Sequence, residues 1–234
     1  IFTKLTSSMP NVEPRKSGKI PPTDDQQSRE SLQRGFVLFL QNILVNDLEN
    51  LLSHPSIAPN LMNILHATLQ SAVDVPNPST GKSVFAIISL ILKAFIPEQQ
   101  VQQQQNGSSN GIHSNVGKIK NNIAINKSDQ LALVNFCLTQ AVPISIKSAI
   151  FVGFEEHDCA GTFAFAKEIA LFYNILLQRC GNQLVNYLRE FCFKIVNNCP
   201  QMIVDNLVTE ILNGNIKKVR KWLLQLVKFT QQKS

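Results

Sequence analysis

Five cationic side chains close to the end of the chain, Lys217, Lys218, Arg220, Lys221 and Lys228, have the type and spacing to do chemistry of one kind, contact with phosphate. Mobile ammonium and guanidinium groups on one face of a helix suit a row of backbone phosphates and need no base-specific geometry. On a helical wheel of about 100° per residue the five share one arc, and Ile216, Val219, Trp222, Leu223, Leu226, Val227 and Phe229 share the other. Leu224 is the one apolar residue on the basic side, and no acid follows Glu210, so that side has no partner within its own helix. Three readings stay open. The arc is a solvated face, with Lys221 and Lys228 complementing the helix dipole. It is a phosphate-contacting face. Or the helix is amphipathic in the sense of a membrane-surface or calmodulin-binding segment, against which Trp222 is expected to face a partner helix.

Other arrangements fail as chemistry. Gly81-Lys82-Ser83 resembles the end of a phosphate-binding loop, but the required first glycine falls on Pro76 and no strand precedes it; Lys82 is expected to be a solvated side chain near a helix start. His157-Asp158-Cys159 are adjacent, and adjacent positions do not aim three side chains at one atom. The pairs Asp24-Asp25 and Glu155-Glu156 read as loop charges with ordinary acidity. Cys137, Cys159, Cys180, Cys192 and Cys199 are odd in number and lack Cys-x-x-Cys spacing, which argues for small core residues in a reducing compartment and against a zinc cage. The four histidines suggest no ligand set, so no catalytic residue, metal or cofactor is expected.

These side chains must be positioned by helices. With 234 residues, 44% of them hydrophobic, the chain can bury a large core, and its net charge of +6 favours an acidic partner. It opens with Ile1 and no signal-peptide pattern, which reads as a piece of something longer. The longest apolar run, around 83–97, is interrupted by Ser89 and Lys93 and reads as too short to cross a bilayer. Residues 1–28, with Pro10, Pro14, Pro21 and Pro22, read as a loop or a remnant of a preceding repeat.

Apolar spacings of three and four then predict helices over about 28–53 (Phe36, Phe39, Leu40, Ile43, Leu44), 59–73, 79–95 with Ser79 as N-cap, and 127–140, including Leu131 and closed by Ala141-Val142-Pro143. Residues 144–153 are ambiguous and are taken as a short helix plus loop. Helices over about 157–179, 183–197, 200–213 and 215–231 follow, broken at Gly181, Pro200 and Gly214. Between the two groups, 98–115 is rich in Gln, Asn, Ser and Gly and reads as a disordered insertion within 97–126. The fold expected is all-α: a HEAT-type helical-repeat solenoid of antiparallel helix pairs spanning 29–96 and 127–234, with a compact bundle as runner-up.

Residues 31–94 resemble the C-terminal part of the exportin-t family of tRNA exportins, in the importin-β (karyopherin) superfamily. Three stretches carry the family pattern: Arg34 to Ile43, Ile64 to Pro78 and Lys82 to Leu90. Residues 163–229 resemble its last helices, with Arg179, Gly181, Tyr187 and Leu188 on the turn pattern and a basic terminal helix in the same place. The Gln-rich segment and 141–153 depart from the pattern. The resemblance implies a non-enzymatic receptor that binds tRNA together with GTP-bound Ran, contacts nuclear pore proteins, touches no membrane, and shuttles between nucleus and cytoplasm. It implies that Ran is met mainly through an N-terminal part absent from this sequence, and that tRNA is held through phosphate and shape. A protein-binding helical scaffold is the alternative.

Because segment 99–115 has almost nothing apolar to bury, deleting it should leave the melting temperature and helical circular dichroism nearly unchanged, and protease should cut there first. A fall of many degrees on deletion would show that it packs.

Overall fold

The computed structural model describes residues 23–46, 52, 54–74, 77–97, 126–151, 159–195 and 200–231. The Gln-rich insertion, the proline-rich residues 1–22, Glu155-Glu156, His157, Asp158 and Cys199 lie outside them. Among the described residues every regular element is helical: α1 (Asp24–Val45), α2 (Leu61–Asp74, led by a 3-10 turn at Ala58–Asn60), α3 (Pro78–Phe95), α4 (Lys127–Phe136), α5 (Val142–Phe151), α6 (Cys159–Cys180), α7 (Asn182–Ile195), α8 (Gln201–Leu212) and α9 (Ile216–Gln231).

Local chemistry sets the ends. α1 starts earlier than its apolar stripe foretold, because Thr23 and Gln26 form a reciprocal capping box, each side chain accepting from the other's backbone N–H. Asp24 and Asp25 therefore sit in a first helical turn, where the dipole favours them, and not in a loop. α3 is capped by Asn77, whose side chain accepts from the Ser79 N–H; the expected cap Ser79 is one residue inside, and Pro78 occupies the first position, where its missing donor costs nothing.

The larger correction is at Pro143, expected to end a helix. The chain instead passes through a π-helical turn at Cys137–Ala141 and continues as α5, with the Val142 N–H reaching back to the Cys137 carbonyl. The wider turn accommodates a ring that has no N–H to donate and would clash with the preceding turn of a regular α-helix.

One continuous core joins all the helices. α1 packs on α2 and α3, α3 on α6, and α6 on α7, α8 and α9, while α2 and α9 also meet α5. The α3–α6 contact is the tightest. Gly81 explains its own presence there: a Cβ at this position would lie 2.6 Å from Phe165 Cε2, so glycine is what lets the ring seat on the helix. Phe85 then packs on both Phe165 and Phe172, with ring centroids 6.1 and 5.5 Å apart. Tyr173 is buried beside them, and its hydroxyl lies 2.6 Å from Ser145 Oγ. Ser145 spends its single proton on the Val142 carbonyl, so Tyr173 donates to Ser145, and burial pushes the phenol pKa upward, keeping it a donor.

The apolar pattern overreached in places. Phe39 and Leu131, assigned to core stripes, are 53% and 70% exposed. Cys137, Cys180 and Cys192 are buried and in no disulfide; burial and the neighbouring Cys180 push the Cys137 thiol up, and burial raises Cys180 to about 11, so neither of these two thiols is a ready nucleophile. The expectation that no run is long enough to cross a bilayer also needs correction. Pro78–Phe95, Lys127–Ala149 and Ala160–Cys180 qualify by length and composition. Half or slightly more of each of these stretches is buried inside the protein, α3 against α6 above all.

Gly81→Ala should destabilise the fold by about 1–3 kcal/mol through overpacking, which outweighs the roughly 1 kcal/mol of helix propensity gained. Gly35→Ala in α1, where a Cβ meets nothing within 4 Å, should stabilise by up to about 1 kcal/mol. Urea midpoints of the two variants moving in the same direction would refute the packing account of Gly81. Ile88, with 0% exposure, should not tolerate Asp: a buried unpaired carboxylate costs several kcal/mol, and a variant as stable as wild type would mean that this face of α3 is misassigned.

Candidate nucleic-acid interface

The basic helix α9 is placed by the turn before it. α8 ends with Asn213 as C-cap and Gly214 at φ +63°, a left-handed position that glycine adopts without strain. The Gly214 N–H bonds the Ile211 carbonyl and the Asn215 N–H bonds the Glu210 carbonyl, which closes a Schellman motif. Asn215 then caps α9 by accepting from the Lys218 N–H through its side chain. This three-residue connection, Asn213 to Asn215, folds α9 back against α8 and α6.

Val219, Leu223, Leu226 and Val227 are buried in that contact, and Ile216, Trp222 and Phe229 are half-buried against the same core. The apolar arc read from the wheel is thus the packed face. Leu224, in the middle of the lysine stripe, is half-buried.

The five cations separate into two groups. Lys218 Nζ lies 3.1 Å from Glu210 Oε1 across the turn, and Glu210 is largely buried. Its other oxygen, Oε2, is buried with no hydrogen-bond partner, so Lys218 neutralises a carboxylate that has little water. The lysine itself is more than half exposed, which limits the pair to below about 1 kcal/mol. Arg220 is half-buried, with its guanidinium carbon 5.1 Å from the centroid of the Phe163 ring on α6. Lys217, Lys221 and Lys228 are exposed, and among the described residues no acid pairs with them; Lys221 Nζ is 5.8 Å from the Trp222 ring centroid. At about 0°, 40° and 20° on the wheel, these three form one narrow stripe.

Sequence periodicity missed a second cationic cluster because tertiary packing assembles it. Glu168 on α6 is half-buried; burial raises its carboxyl pKa, and Lys82, Lys167 and Lys93 act against that rise. Three lysines from two helices thus act on one carboxylate from a distance, with Lys82 and Lys93 three turns apart on α3, and Lys82 is exposed as expected. Phe163, one helical turn before Lys167, was equally invisible, since its partner Arg220 is 57 positions away in the sequence. Among the described residues no group of His, Cys, Asp and Glu could hold a metal ion.

Neither the curated proteins nor the solved structures give a match to the chain. A family model does: Exportin-T matches residues 15–232, running through 141–153 and the Gln-rich stretch that the motif resemblance left aside. With nearly the whole sequence covered, the chain belongs to the Exportin-T family, whose members are transport receptors of the importin-β superfamily and not enzymes.

Proposed function

We propose that this chain is the C-terminal arch of a nuclear export receptor that binds tRNA together with GTP-bound Ran and carries it through the nuclear pore. The observation that carries the reading is the family match over 15–232. Supporting it, Lys217, Lys221 and Lys228 project from a firmly docked helix as an unneutralised stripe, a geometry suited to A-form phosphates. In this reading the packing of α1 on α3, α3 on α6 and α6 on α8, with α2, α5 and α9 alongside, is the order of a HEAT-type solenoid. The Ran surface lies mainly on an N-terminal part, pore proteins are further partners, and the receptor shuttles between nucleus and cytoplasm.

A protein-binding scaffold has one observation in its favour. α1 leaves Leu32, Leu38, Phe39 and Val45 exposed, and Gln27, Ser31, Leu32, Gly35 and Phe39 share one open side of the helix. Such a surface suits another helix and not a nucleic acid.

Replacing Lys217, Lys221 and Lys228 by Gln should weaken tRNA binding regardless of tRNA sequence and leave the melting temperature unchanged. Each lost phosphate contact should reduce the slope of log affinity against log salt by about 0.7–0.9. Lysines that are merely solvated would leave affinity and slope where they were, and the cargo reading of this face would fall. Lys218→Gln should change stability more than the salt slope, because it abandons Glu210.

A further inference from the structure

The first turns of α3 meet α1 around a cavity of about 130 Å³, lined by Arg34, Val37 and Leu38 on one side and by Ser79, Thr80 and Ser83 on the other. A helix leaves its first four N–H groups without an intrahelical partner. In α3 Pro78 has none to offer, and Asn77 takes those of Ser79 and Gly81 through its side chain and its carbonyl, which leaves that of Thr80. Thr80 is only 6% exposed, and among the described residues its hydroxyl has no hydrogen-bond partner. Arg34 is more than half exposed and loosely held, with Nη2 3.7 Å from Glu30 Oε2. Lys82, exposed just beyond, adds to the positive end of the helix dipole.

We propose that this cavity docks one phosphorylated serine or threonine side chain of a partner protein, with Arg34, the Thr80 hydroxyl and N–H, and the hydroxyls of Ser79 and Ser83 around the phosphoryl oxygens. An oxyanion at a helix start finds open donors and a favourable dipole, and a guanidinium is the side chain that pairs with phosphate through two parallel bonds. A hydroxyl buried without a partner is costly, and a ligand oxygen that accepts from it removes the cost. The surroundings select the carrier. Val37 and Leu38 give the cavity an apolar wall, and Leu38 is one of the apolar residues that α1 leaves exposed. Glu30, and the Asp74 carboxylate that accepts from Gln33 and Gln70, offset Arg34 and Lys82. A single phosphate on an apolar protein segment suits that balance, whereas a row of nucleic-acid phosphates meets two acids.

The test titrates the full-length chain with a blocked pentapeptide of alanine and leucine around a central phosphoserine, with its serine and glutamate forms, and with inorganic phosphate. The phosphopeptide should bind at least about tenfold tighter than inorganic phosphate or the glutamate form, and the serine form should not bind. Thr80→Val, which keeps the shape of the side chain and loses the hydroxyl, should weaken the phosphopeptide at least about fivefold, as should Arg34→Gln. Thr80→Ser should bind as wild type. In the free chain Thr80→Val should leave the melting temperature unchanged or raised, because it removes a hydroxyl that had no partner. Should it lower that temperature, Arg34→Gln, at an exposed position, decides alone. A phosphopeptide that does not bind, binds no tighter than inorganic phosphate or the glutamate form, or binds both weakened variants as it binds wild type overturns the proposal. It falls as well if the phosphopeptide fails and Thr80→Val instead lowers the affinity for a hairpin RNA, since the cavity would then serve a nucleic acid.

Discussion

Close approach of α3 to α6 at Gly81 is the constraint on which the rest of the arrangement depends. Without a Cβ at that position the Phe165 ring seats against α3, and Phe85 settles between Phe165 and Phe172. Tyr173, its ring tilted at 44° to that of Phe172, carries the contact on to α5 through Ser145. A buried hydroxyl pair of this kind is satisfied only when both helices keep their register. α6 thereby becomes the element on which α3, α5, α8 and α9 all lean, and its exposed surface shrinks to a strip carrying Phe163, Lys167 and Gln178.

That packing also decides where charge can go. α3 and α6 are covered on more than one side, so their sequences are nearly continuous in apolar residues, to the point of matching membrane spans in length and hydropathy. α9 lies against the stack with one face only, and its other face is available for polar side chains. With no acid after Glu210, that face is cationic throughout, and among the described residues the acid paired with it, Glu210, holds Lys218 alone. A helix docked on a rigid neighbour and neutralised at a single point presents its remaining charge as a defined surface.

Much of this was legible in the sequence, and the failures have identifiable physics. Three-and-four spacing located the helices, and Gly214 marked a turn that proved to be a Schellman motif. The start of α1 was also written in the chain, as Thr23 three residues before Gln26, but it lay upstream of the apolar stripe that guided the reading. Pro143 misled because a proline rule assumes a regular α-helix, whereas a π turn relaxes it. Gly81-Lys82-Ser83 looked like a damaged nucleotide loop because glycine reads the same whether it admits a phosphate or an aromatic ring. Phe39 and Leu131 show that an apolar arc can be wider than the surface that covers it. At the interface, the five cations were readable as a group but their division was not: Glu210 and Phe163 take Lys218 and Arg220 through contacts that only the folded chain makes.

Magnitudes decide whether the cationic face of α9 exists for the fold. Each of Val219, Leu223, Leu226 and Val227 contributes about 1.5–3 kcal/mol by burial, enough to hold the helix in place by themselves. The Lys218–Glu210 pair adds less than about 1 kcal/mol, and an exposed cation–π contact such as Arg220 on Phe163 adds about 0.5–1 kcal/mol. Against these, Lys217 and Lys221 are like charges one turn apart, which costs a helix about 0.2–0.5 kcal/mol. Lys217 and Lys221 therefore subtract a little from stability, and Lys228, in the last turn of α9, returns about 0.3–1 kcal/mol through the helix dipole. The three together leave the stability of the helix nearly where neutral polar residues would. A concentration of charge that the fold does not need, on an element that the fold holds rigid, is a surface that the anionic partner proposed above could span.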